Sequence, residues 1–225
     1  MGRIVAQRMF HCNKNAGCRR GKNAMVKLLT LEPLSSGFLK VVRAVVDYQR
    51  SDGGRSGPHP LECVKRPPAA VMIPYDPRRD ELILVRQFRI GAYMEDSSRG
   101  WALEFPAGLC DQESDPMQTA RRELLEETGY QAISVEPVMT FLVNPGFVSE
   151  RIHLFLTIID AEHPVALGGG LEHEQEDIQT LRVTYDEALA MVADGRMDGG
   201  PPILALQWLT LNRARIRAEA AALHE

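Results

Sequence analysis

The chain has 225 residues, of which 44% are hydrophobic and 25% are charged, a composition typical of a globular protein with a sizeable core. No uninterrupted apolar run approaches the roughly 20 residues of a membrane-spanning helix, so we expect no membrane association. Seven of the 26 basic residues precede the first acidic residue, Glu32, which leaves 19 basic against 30 acidic residues in the remainder. An acidic body of this kind argues against a nucleic-acid groove.

The basic leader and the cysteines bear on where the protein resides. Residues 1–25 lack the apolar segment of a secretory signal, and we expect a loosely ordered tail. The four cysteines form no CxxC pair and no compact disulfide framework; they are Cys12, Cys18, Cys63 and Cys110. A reducing cytoplasm is therefore the predicted compartment.

Residues 26–60 are predicted to form a small N-terminal β region with a linker. Short apolar stretches, including GFLKVVRAVVDYQ, are typical of strands. The following stretch, RSDGGRSGPHP, is rich in Gly, Ser and Pro and predicts a turn or linker. Residues 61–225 then form the predicted main domain.

The main domain begins with two β-branched runs that flank a hairpin loop from Asp76 to Asp80. Three further runs, WALEFPAG, VEPVMTFLV and RIHLFLTIID, also predict strands. Helices are predicted between and after them, without regular alternation of strand and helix. This order of elements favours an α+β fold in which helices cover a sheet.

The first of these helices, from Pro116 to Thr128, has recognisable ends. Asp115 is a natural N-cap and forms a capping-box pattern with Gln118, while Gly129 supplies a C-terminal stop. A second helix is predicted after Thr184, which forms a capping box with Glu187, and a third over residues 203–220.

Three glutamates on the first helix carry the strongest functional signal. Glu123, Glu126 and Glu127 are three and four residues apart and project to one side, where like charges repel. Their place near the C-terminal end of the helix also opposes the helix dipole. A solvated acidic face is the ordinary explanation for such a cluster. Here the like-charge repulsion and the unfavourable position in the helix dipole together indicate a bound cation. Carboxylates suit Mg²⁺ or Mn²⁺. The sequence contains no GxxxxGK[ST], strand-linked GxGxxG or GxSxG motif.

The stretch GLCDQESDPMQTARRELLEETGY, residues 108–130, resembles the Nudix box, with its glycines, arginine and glutamates at the family's fixed gaps. One position departs from the family pattern, because the first box glutamate falls on Ser114. The resemblance continues through ILVRQFRIGAY, WALEFPAGL, NPGFVSER, GLEHEQEDI and ILALQWL, which are similar to the ADP-ribose pyrophosphatase branch of the family.

The resemblance implies a fold, a reaction and an assembly. The expected fold is an α/β/α sandwich with a smaller N-terminal β region. The expected reaction is Mg²⁺-dependent hydrolysis of ADP-ribose to AMP and ribose 5-phosphate, with Mn²⁺ as the alternative ion. The expected assembly is a homodimer in which the N-terminal region is exchanged and completes the partner's site.

The resemblance also implies site residues. The implied metal ligands are Glu123, Glu127, Glu176 and the carbonyl of Ala107. The implied catalytic residues are Glu174, as the general base, and Glu126 close to the metal ligands. The implied substrate contacts are Phe38, Arg89, Asn144 and Glu150, whereas an arginine of the family pattern falls on Leu61. Without the resemblance, the glycine-rich acidic segment from Gly168 to Asp177 indicates a flexible linker.

Three alternatives remain open at this point. GDP-mannose or UDP-glucose in place of ADP-ribose keeps the chemistry and changes the substrate. A Nudix module that binds a nucleotide without catalysis is a second alternative, which the presence of the box glutamates and of Glu174 disfavours. An RNA-end-processing enzyme is the third, and the leader has no aromatic residue besides Phe10 to support it.

Overall fold

The computed structural model describes residues 25–110, 115–171 and 176–222. The predicted leader lies almost entirely outside these residues. The first strands form a three-stranded antiparallel sheet in the order β1-β2-β3. Its strands are β1 (Val26–Ser36), β2 (Lys40–Tyr48) and β3 (His59–Lys65). The predicted N-terminal β region is present, and β3 crosses the boundary placed between residues 60 and 61. The domain boundaries stay predictions.

A seven-stranded mixed sheet forms the centre of the main body. Its strands are β4 (Ala69–Asp76), β5 (Glu81–Phe88), β6 (Trp101–Glu104), β7 (Ala107–Leu109), β8 (Ser134–Leu142), β9 (Arg151–Ile158) and β10 (Ile178–Thr184). The main path is β10-β5-β4-β9-β8, in which β4 and β9 are parallel and the other pairs antiparallel. Pairing between β4 and β5 is confined to Tyr75–Asp76 and Glu81–Leu82. Beyond that point β5 pairs with β6 and β4 with β7, so the sheet splits.

Helices cover both faces of this sheet. The helices are α1 (Ile90–Glu95), α2 (Pro116–Thr128), α3 (Tyr185–Ala193) and α4 (Gly200–Ala222), of which α2 packs on one face and α3 and α4 on the other. Strand β4 is buried throughout, and its side chains alternate between two cores because strand side chains point to opposite faces. Val71 and Ile73 belong to the core of α3 and α4, whereas Met72 packs in the core of α2. The α/β/α sandwich is therefore confirmed.

The helix ends agree with the predicted caps. The Asp115 side chain accepts a hydrogen bond from the Met117 N–H, and Gly129 ends α2 with a φ of 76°. Thr184 and Glu187 form the predicted capping box of α3. Helix α4 begins earlier than predicted, at Gly200, because two prolines fit the first helical turn, where N–H groups have no partner within the helix. Helix α1 and strand β10 are elements that the sequence analysis did not predict.

The small sheet is joined to the main body through the loop between β8 and β9. The N–H of Val64 donates to the Phe147 carbonyl at 2.8 Å, and the N–H of Ser149 donates to the Val64 carbonyl at 3.0 Å. These bonds place the end of β3 and the turn between β1 and β2 beside the open edge of the split sheet. Within the described residues no helix is both long and apolar enough to cross a membrane.

Candidate active site

A cavity of about 880 Å³ lies where β4 and β5 part. Its floor includes Val71 of β4 and Phe105 between β6 and β7. Helix α2, the turn between β1 and β2 and the first turn of α4 provide further walls. The charged side chains that line it are Arg66, Arg89, Arg122, Glu104, Glu123, Glu127, Glu150 and Glu176. Among the described residues, three guanidinium groups and five carboxyl groups thus meet in one cavity, with carboxylates in excess.

The predicted acidic cluster on α2 is held partly by one arginine. The Arg122 guanidinium donates to Glu123 Oε1 at 2.6 Å and to Glu126 Oε2 at 2.7 Å. Glu123 lines the cavity, whereas Glu126 is not among the lining residues. Burial raises the pKa of Glu123, the Arg122 charge lowers it, and the net shift is upward. Arg122 therefore neutralises this side of the cluster only in part.

Glu127 lies deepest in the cluster, with 2% of its surface exposed. Its Oε2 accepts a hydrogen bond from the Ala107 N–H at 3.1 Å. Burial raises the pKa of Glu127 to about 8, and the neighbouring charges of Glu123 and Glu176 add to the shift. Because the charged form of a buried carboxylate is unfavourable, this group gains most from a nearby cation.

Gly108 allows helix α2 to approach β7 closely. A methyl group on Gly108 would overlap the carboxyl group of Glu123. A side chain at this position would therefore displace Glu123 from the cavity wall. Glycine is required here for the close approach and not for an unusual backbone angle.

The C-terminal end of α2 is capped by the triple glycine. Gly168, Gly169 and Gly170 all have positive φ, and this left-handed run turns the N–H groups of Gly169 and Gly170 toward the helix. The Gly169 N–H donates to the Glu127 carbonyl at 2.8 Å, and the Gly170 N–H donates to the Glu126 carbonyl at 3.1 Å. The glycine part of the segment that composition marked as a flexible linker is thus held by hydrogen bonds. These donors also offset the negative end of the helix dipole below the glutamates.

Glu176 follows this segment and completes the carboxylate group of the cavity. Its Oε2 accepts a hydrogen bond from the Leu171 N–H at 3.1 Å. Its charge contributes to the raised pKa of both Glu123 and Glu127. Among the residues that the structure describes, neither a cysteine nor a histidine lines the cavity. Oxygen donors alone fit a hard cation such as Mg²⁺ or Mn²⁺.

The described carboxylates do not by themselves enclose an ion. In residues 25–110, 115–171 and 176–222, no three Asp, Glu, His or Cys side chains are close enough together to hold a metal. Mg²⁺ is usually bound through one or two carboxylates, with waters and substrate phosphates in the other positions. A group of carboxylates that is open to a large cavity fits this mode of Mg²⁺ coordination.

The opposite end of the cavity is built on the small sheet and its neighbours. Phe38 lies in the turn between β1 and β2, is 89% exposed and lines the cavity. The Arg66 guanidinium lies 5.7 Å from the centre of the Phe38 ring. Arg66 Nε also donates to Glu150 Oε1 at 3.1 Å. An aromatic face, a guanidinium group and a carboxylate therefore meet at this end.

Arg89 lies between the two ends, immediately after β5. Its Nε donates to Glu104 Oε2 at 2.7 Å, and both side chains line the cavity. The pair is half-exposed and faces the cavity, so Arg89 retains further donors for a ligand. Arg89 is also close enough to Glu127 to counteract part of the upward shift of its pKa.

The comparisons with known proteins agree with this geometry. A family model described as the NUDIX domain matches residues 65–222, which is more than half of the chain. The chain belongs to the NUDIX family. A solved structure described as an ADP compounds hydrolase matches 86% of this chain and 97% of its own, with a TM-score of 0.67 and 22% identity, which supports the NUDIX fold.

Curated relatives resemble the chain over most of its length. An ADP-ribose pyrophosphatase from Escherichia coli (strain K12) is 35% identical over 201 residues, which cover 89% of this chain and 95% of the relative. An ADP-ribose pyrophosphatase from Haemophilus influenzae is 34% identical over 194 residues, covering 85% and 89%. A GDP-mannose pyrophosphatase from Pectobacterium atrosepticum is 37% identical over 174 residues, covering 77% and 88%.

The structure brings most of the predicted NUDIX site residues to one cavity. Those that line it are Phe38, Arg89, Ala107, Glu123, Glu127, Glu150 and Glu176. Asn144 is not among the lining residues, and its Oδ1 accepts a hydrogen bond from the Gly146 N–H at 3.1 Å. Glu174 and Ser114 lie outside the described residues. The roles assigned to all of these residues stay predictions.

Sequence reasoning missed several residues of the cavity wall, namely Arg66, Gln87, Glu104, Pro201 and Pro202. Leu61, where the family pattern indicated an arginine, is exposed in β3, while Arg66 provides a guanidinium group five residues later. The signal for Arg66 was its place in Lys-Arg-Pro-Pro, the short connection between β3 and β4, which keeps it close to both sheets. Glu104 carried no separate signal within LEFPAG.

Proposed function

We propose that the protein hydrolyses the diphosphate bond of ADP-ribose in a Mg²⁺-dependent reaction that gives AMP and ribose 5-phosphate. The observation that carries this proposal is one continuous cavity with buried and partly buried carboxylates at one end and an exposed aromatic ring at the other. A diphosphate joined to a nucleoside matches both ends. The names of the Escherichia coli and Haemophilus influenzae relatives support the same substrate.

The carboxylate end would hold the metal and the attacking water. Glu123, Glu127 and Glu176 would be the side-chain ligands, with the Ala107 carbonyl beside them. A bound divalent ion supplies charge neutralisation for the diphosphate and lowers the pKa of water. Glu174 is the proposed general base, and Glu126 supports the cluster through the Arg122 pair.

The arginines would hold the substrate's phosphates and orient its sugar end. The carboxylates outnumber the guanidinium groups in the lining, so the cavity without a cation repels an anionic diphosphate. Arg89 is proposed to donate to the diphosphate while Glu104 fixes its Nε. Phe38 is proposed to stack on the adenine, Glu150 to bind the terminal ribose, and Asn144 to contribute from the adjoining turn.

GDP-mannose is the second candidate substrate because a GDP-mannose pyrophosphatase is also among the relatives. Phe38 does not distinguish adenine from guanine, since every base has a face on which to stack. A panel of ADP-ribose, GDP-mannose, UDP-glucose and NADH with Mg²⁺ tests the choice through kcat/KM. We expect the highest value for ADP-ribose and no activity with EDTA. A preference for GDP-mannose replaces the substrate, and inactivity with both Mg²⁺ and Mn²⁺ favours a nucleotide-binding module without catalysis.

The homodimer with exchanged N-terminal regions is also a proposal. The small sheet exposes large apolar side chains, which are Leu28, Leu29, Leu31, Leu34 and Leu39. Apolar exposure of this extent favours burial against a second copy. In the single chain Phe38 already lies beside its own Arg66, so exchange has a direct test. Dissociating and reassociating a mixture of the Phe38→Ala and Glu127→Gln variants restores wild-type activity at one site only if Phe38 serves the partner.

A cytoplasmic location completes the proposal. The Cys63 thiol donates to the Val64 carbonyl and, within the described residues, forms no disulfide bond, as expected in a reducing compartment. Fractionation of cells that carry the untagged protein tests this location. Recovery with the membrane or secreted fraction would contradict it.

A further inference from the structure

The triple-glycine segment has a geometry that its capping role does not explain fully. Gly170 has a φ of +82°, and a methyl group there would lie 2.6 Å from Oε2 and 2.7 Å from Cβ of Glu176. Such contacts are much shorter than van der Waals distance. The Glu176 side chain therefore occupies space that only a glycine at position 170 leaves free.

Hydrogen bonds close the two ends of the acidic loop at this point. The Ile178 N–H donates to the Gly169 carbonyl at 3.3 Å, and the Leu171 N–H donates to Glu176 Oε2 at 3.1 Å. We call residues 169–171 and 176–178 the loop neck. The neck is fixed to α2, because the carbonyls of Glu126 and Glu127 accept the N–H groups of Gly170 and Gly169.

The loop neck thus connects Glu126, Glu127 and Glu176 through hydrogen bonds that involve backbone groups. The Glu127 carbonyl accepts a second hydrogen bond, from the Thr180 hydroxyl of β10 at 3.2 Å. The Leu171 N–H holds the Glu176 carboxylate itself, the other contacts fix backbone, and the side chains of Glu127 and Glu176 face the cavity. Groups that orient a metal ligand from behind affect metal affinity without touching the ion.

We infer that Gly170 is a positioning residue that sets the place of the Glu176 carboxylate relative to Glu123 and Glu127, and thereby the divalent-cation affinity of the site. The inference rests on the proposed role of Glu176 as a metal ligand. It assigns to the glycine segment a function in metal binding beyond ending the helix. Gly170→Ala pushes the Glu176 side chain away from its position while leaving every carboxylate in the chain.

Mn²⁺ binding to the full-length protein, measured by electron paramagnetic resonance without nucleotide, tests this inference. We expect Gly170→Ala to weaken Mn²⁺ binding at least tenfold, within the usual range for residues that orient a ligand. Gly195→Ala is the matched control, since Gly195 has a φ of +79° and nothing within 4 Å of the added methyl group. The Gly195→Ala variant carries the same kind of backbone strain, and we expect its Mn²⁺ affinity to lie within twofold of wild type.

A double variant separates positioning from general damage. If Gly170 acts through Glu176, Gly170→Ala weakens Mn²⁺ binding no more than twofold further in a Glu176→Gln background. The inference would be overturned if the losses of Mn²⁺ affinity in the two single variants multiply in the double variant. It would also be overturned if Gly170→Ala binds Mn²⁺ with wild-type affinity. Should Gly170→Ala fail to fold, Glu176→Asp keeps the charge and shortens its reach, and wild-type Mn²⁺ affinity in that variant overturns the inference as well. Because no nucleotide is present, failure of ADP-ribose hydrolysis would not be confused with failure of this test.

Discussion

The two ends of the cavity are built in different ways. At the carboxylate end, Glu127 is almost fully buried, Glu123 is in contact with Gly108, and the α2 carbonyls are capped by glycines. At the other end, Phe38 is 89% exposed on the small sheet. The first end is fixed by the core of the main body, whereas the second is exposed at the surface.

This contrast separates chemistry from selectivity. Ligands for a cation need fixed positions, since small displacements of a metal ligand are costly. Recognition of a nucleoside tolerates a more exposed surface, because stacking on an aromatic ring requires little directional precision. We therefore expect substitutions at the carboxylate end to lower kcat, and substitutions at the Phe38 end to change KM.

The largest effect is expected at Glu127. Glu127→Gln removes a carboxylate charge while keeping an acceptor for the Ala107 N–H, and we expect kcat to fall about 10³-fold through loss of metal-assisted charge stabilisation. Glu136→Gln, at an exposed position of β8, is the control and is expected to leave kcat unchanged. Steady-state kinetics with ADP-ribose measures both variants.

The Glu174→Gln variant tests whether Glu174 acts as the general base or as a metal ligand. We expect kcat to fall on the order of 10²-fold or more, the usual scale for loss of a general base, with Mn²⁺ affinity retained. A kcat within threefold of wild type in either Glu127→Gln or Glu174→Gln would refute the role assigned to that residue.

The buried carboxyl group also predicts how stability depends on pH without metal. The pKa of Glu127 is raised from 4.5 to about 8 in the folded state, so between these values the folded protein holds a proton that the unfolded chain has lost. The associated stability is complete below pH 4.5 and is lost as the pH rises through 8. Urea unfolding in EDTA should therefore show a decrease of roughly 3–5 kcal/mol in the free energy of unfolding from pH 5 to pH 9.

Two controls isolate this contribution to the pH dependence. Glu127→Gln should remove most of the decrease, because the amide does not titrate. Mg²⁺ should offset it in the wild-type protein, since the cation binds the ionised form and releases the proton. Unfolding free energies of wild type and Glu127→Gln that fall in parallel would contradict the assignment.

A smaller effect is expected at the exposed end. Phe38→Ala should raise KM for ADP-ribose by roughly 5- to 100-fold, the scale of one lost stacking contact, with kcat within threefold of wild type. Phe38→Trp keeps an aromatic face and should leave KM for ADP-ribose near the wild-type value. Phe147→Ala provides the matched control, since Phe147 is exposed but is not among the residues that line the cavity. A fall in kcat with unchanged KM would show that the two ends are not separable.

The smallest effect concerns a buried hydroxyl in the central sheet. Thr157 of β9 is fully buried, and within the described residues its hydroxyl has no hydrogen-bond partner. Thr157→Val replaces it with a group of the same shape, which should stabilise the fold by about 1 kcal/mol and raise Tm by roughly 2–4 °C. Differential scanning calorimetry measures the shift. A lower Tm would mean that the hydroxyl is hydrogen-bonded, and kcat should not change in either case.

The sequence predicted the carboxylate end far better than the other end. Helix α2 was predictable because Asp115, Pro116 and Gly129 act on adjacent backbone, and the spacing of Glu123, Glu126 and Glu127 fixes their common side. The contact of Arg66 with Phe38 was not predictable, since it depends on how the small sheet docks on the loop after β8. Composition alone indicates a linker for residues 168–170, because it does not reveal that the Gly169 and Gly170 N–H groups meet carbonyls of α2.

Hydrolysis of ADP-ribose by the wild-type protein with Mg²⁺ in H₂¹⁸O, followed by mass spectrometry of the products, tests the central claim most directly. The account predicts AMP and ribose 5-phosphate in equal amounts, with one ¹⁸O atom in only one of the two products. ADP with free ribose, or no product, would contradict a carboxylate-bound metal acting on the diphosphate.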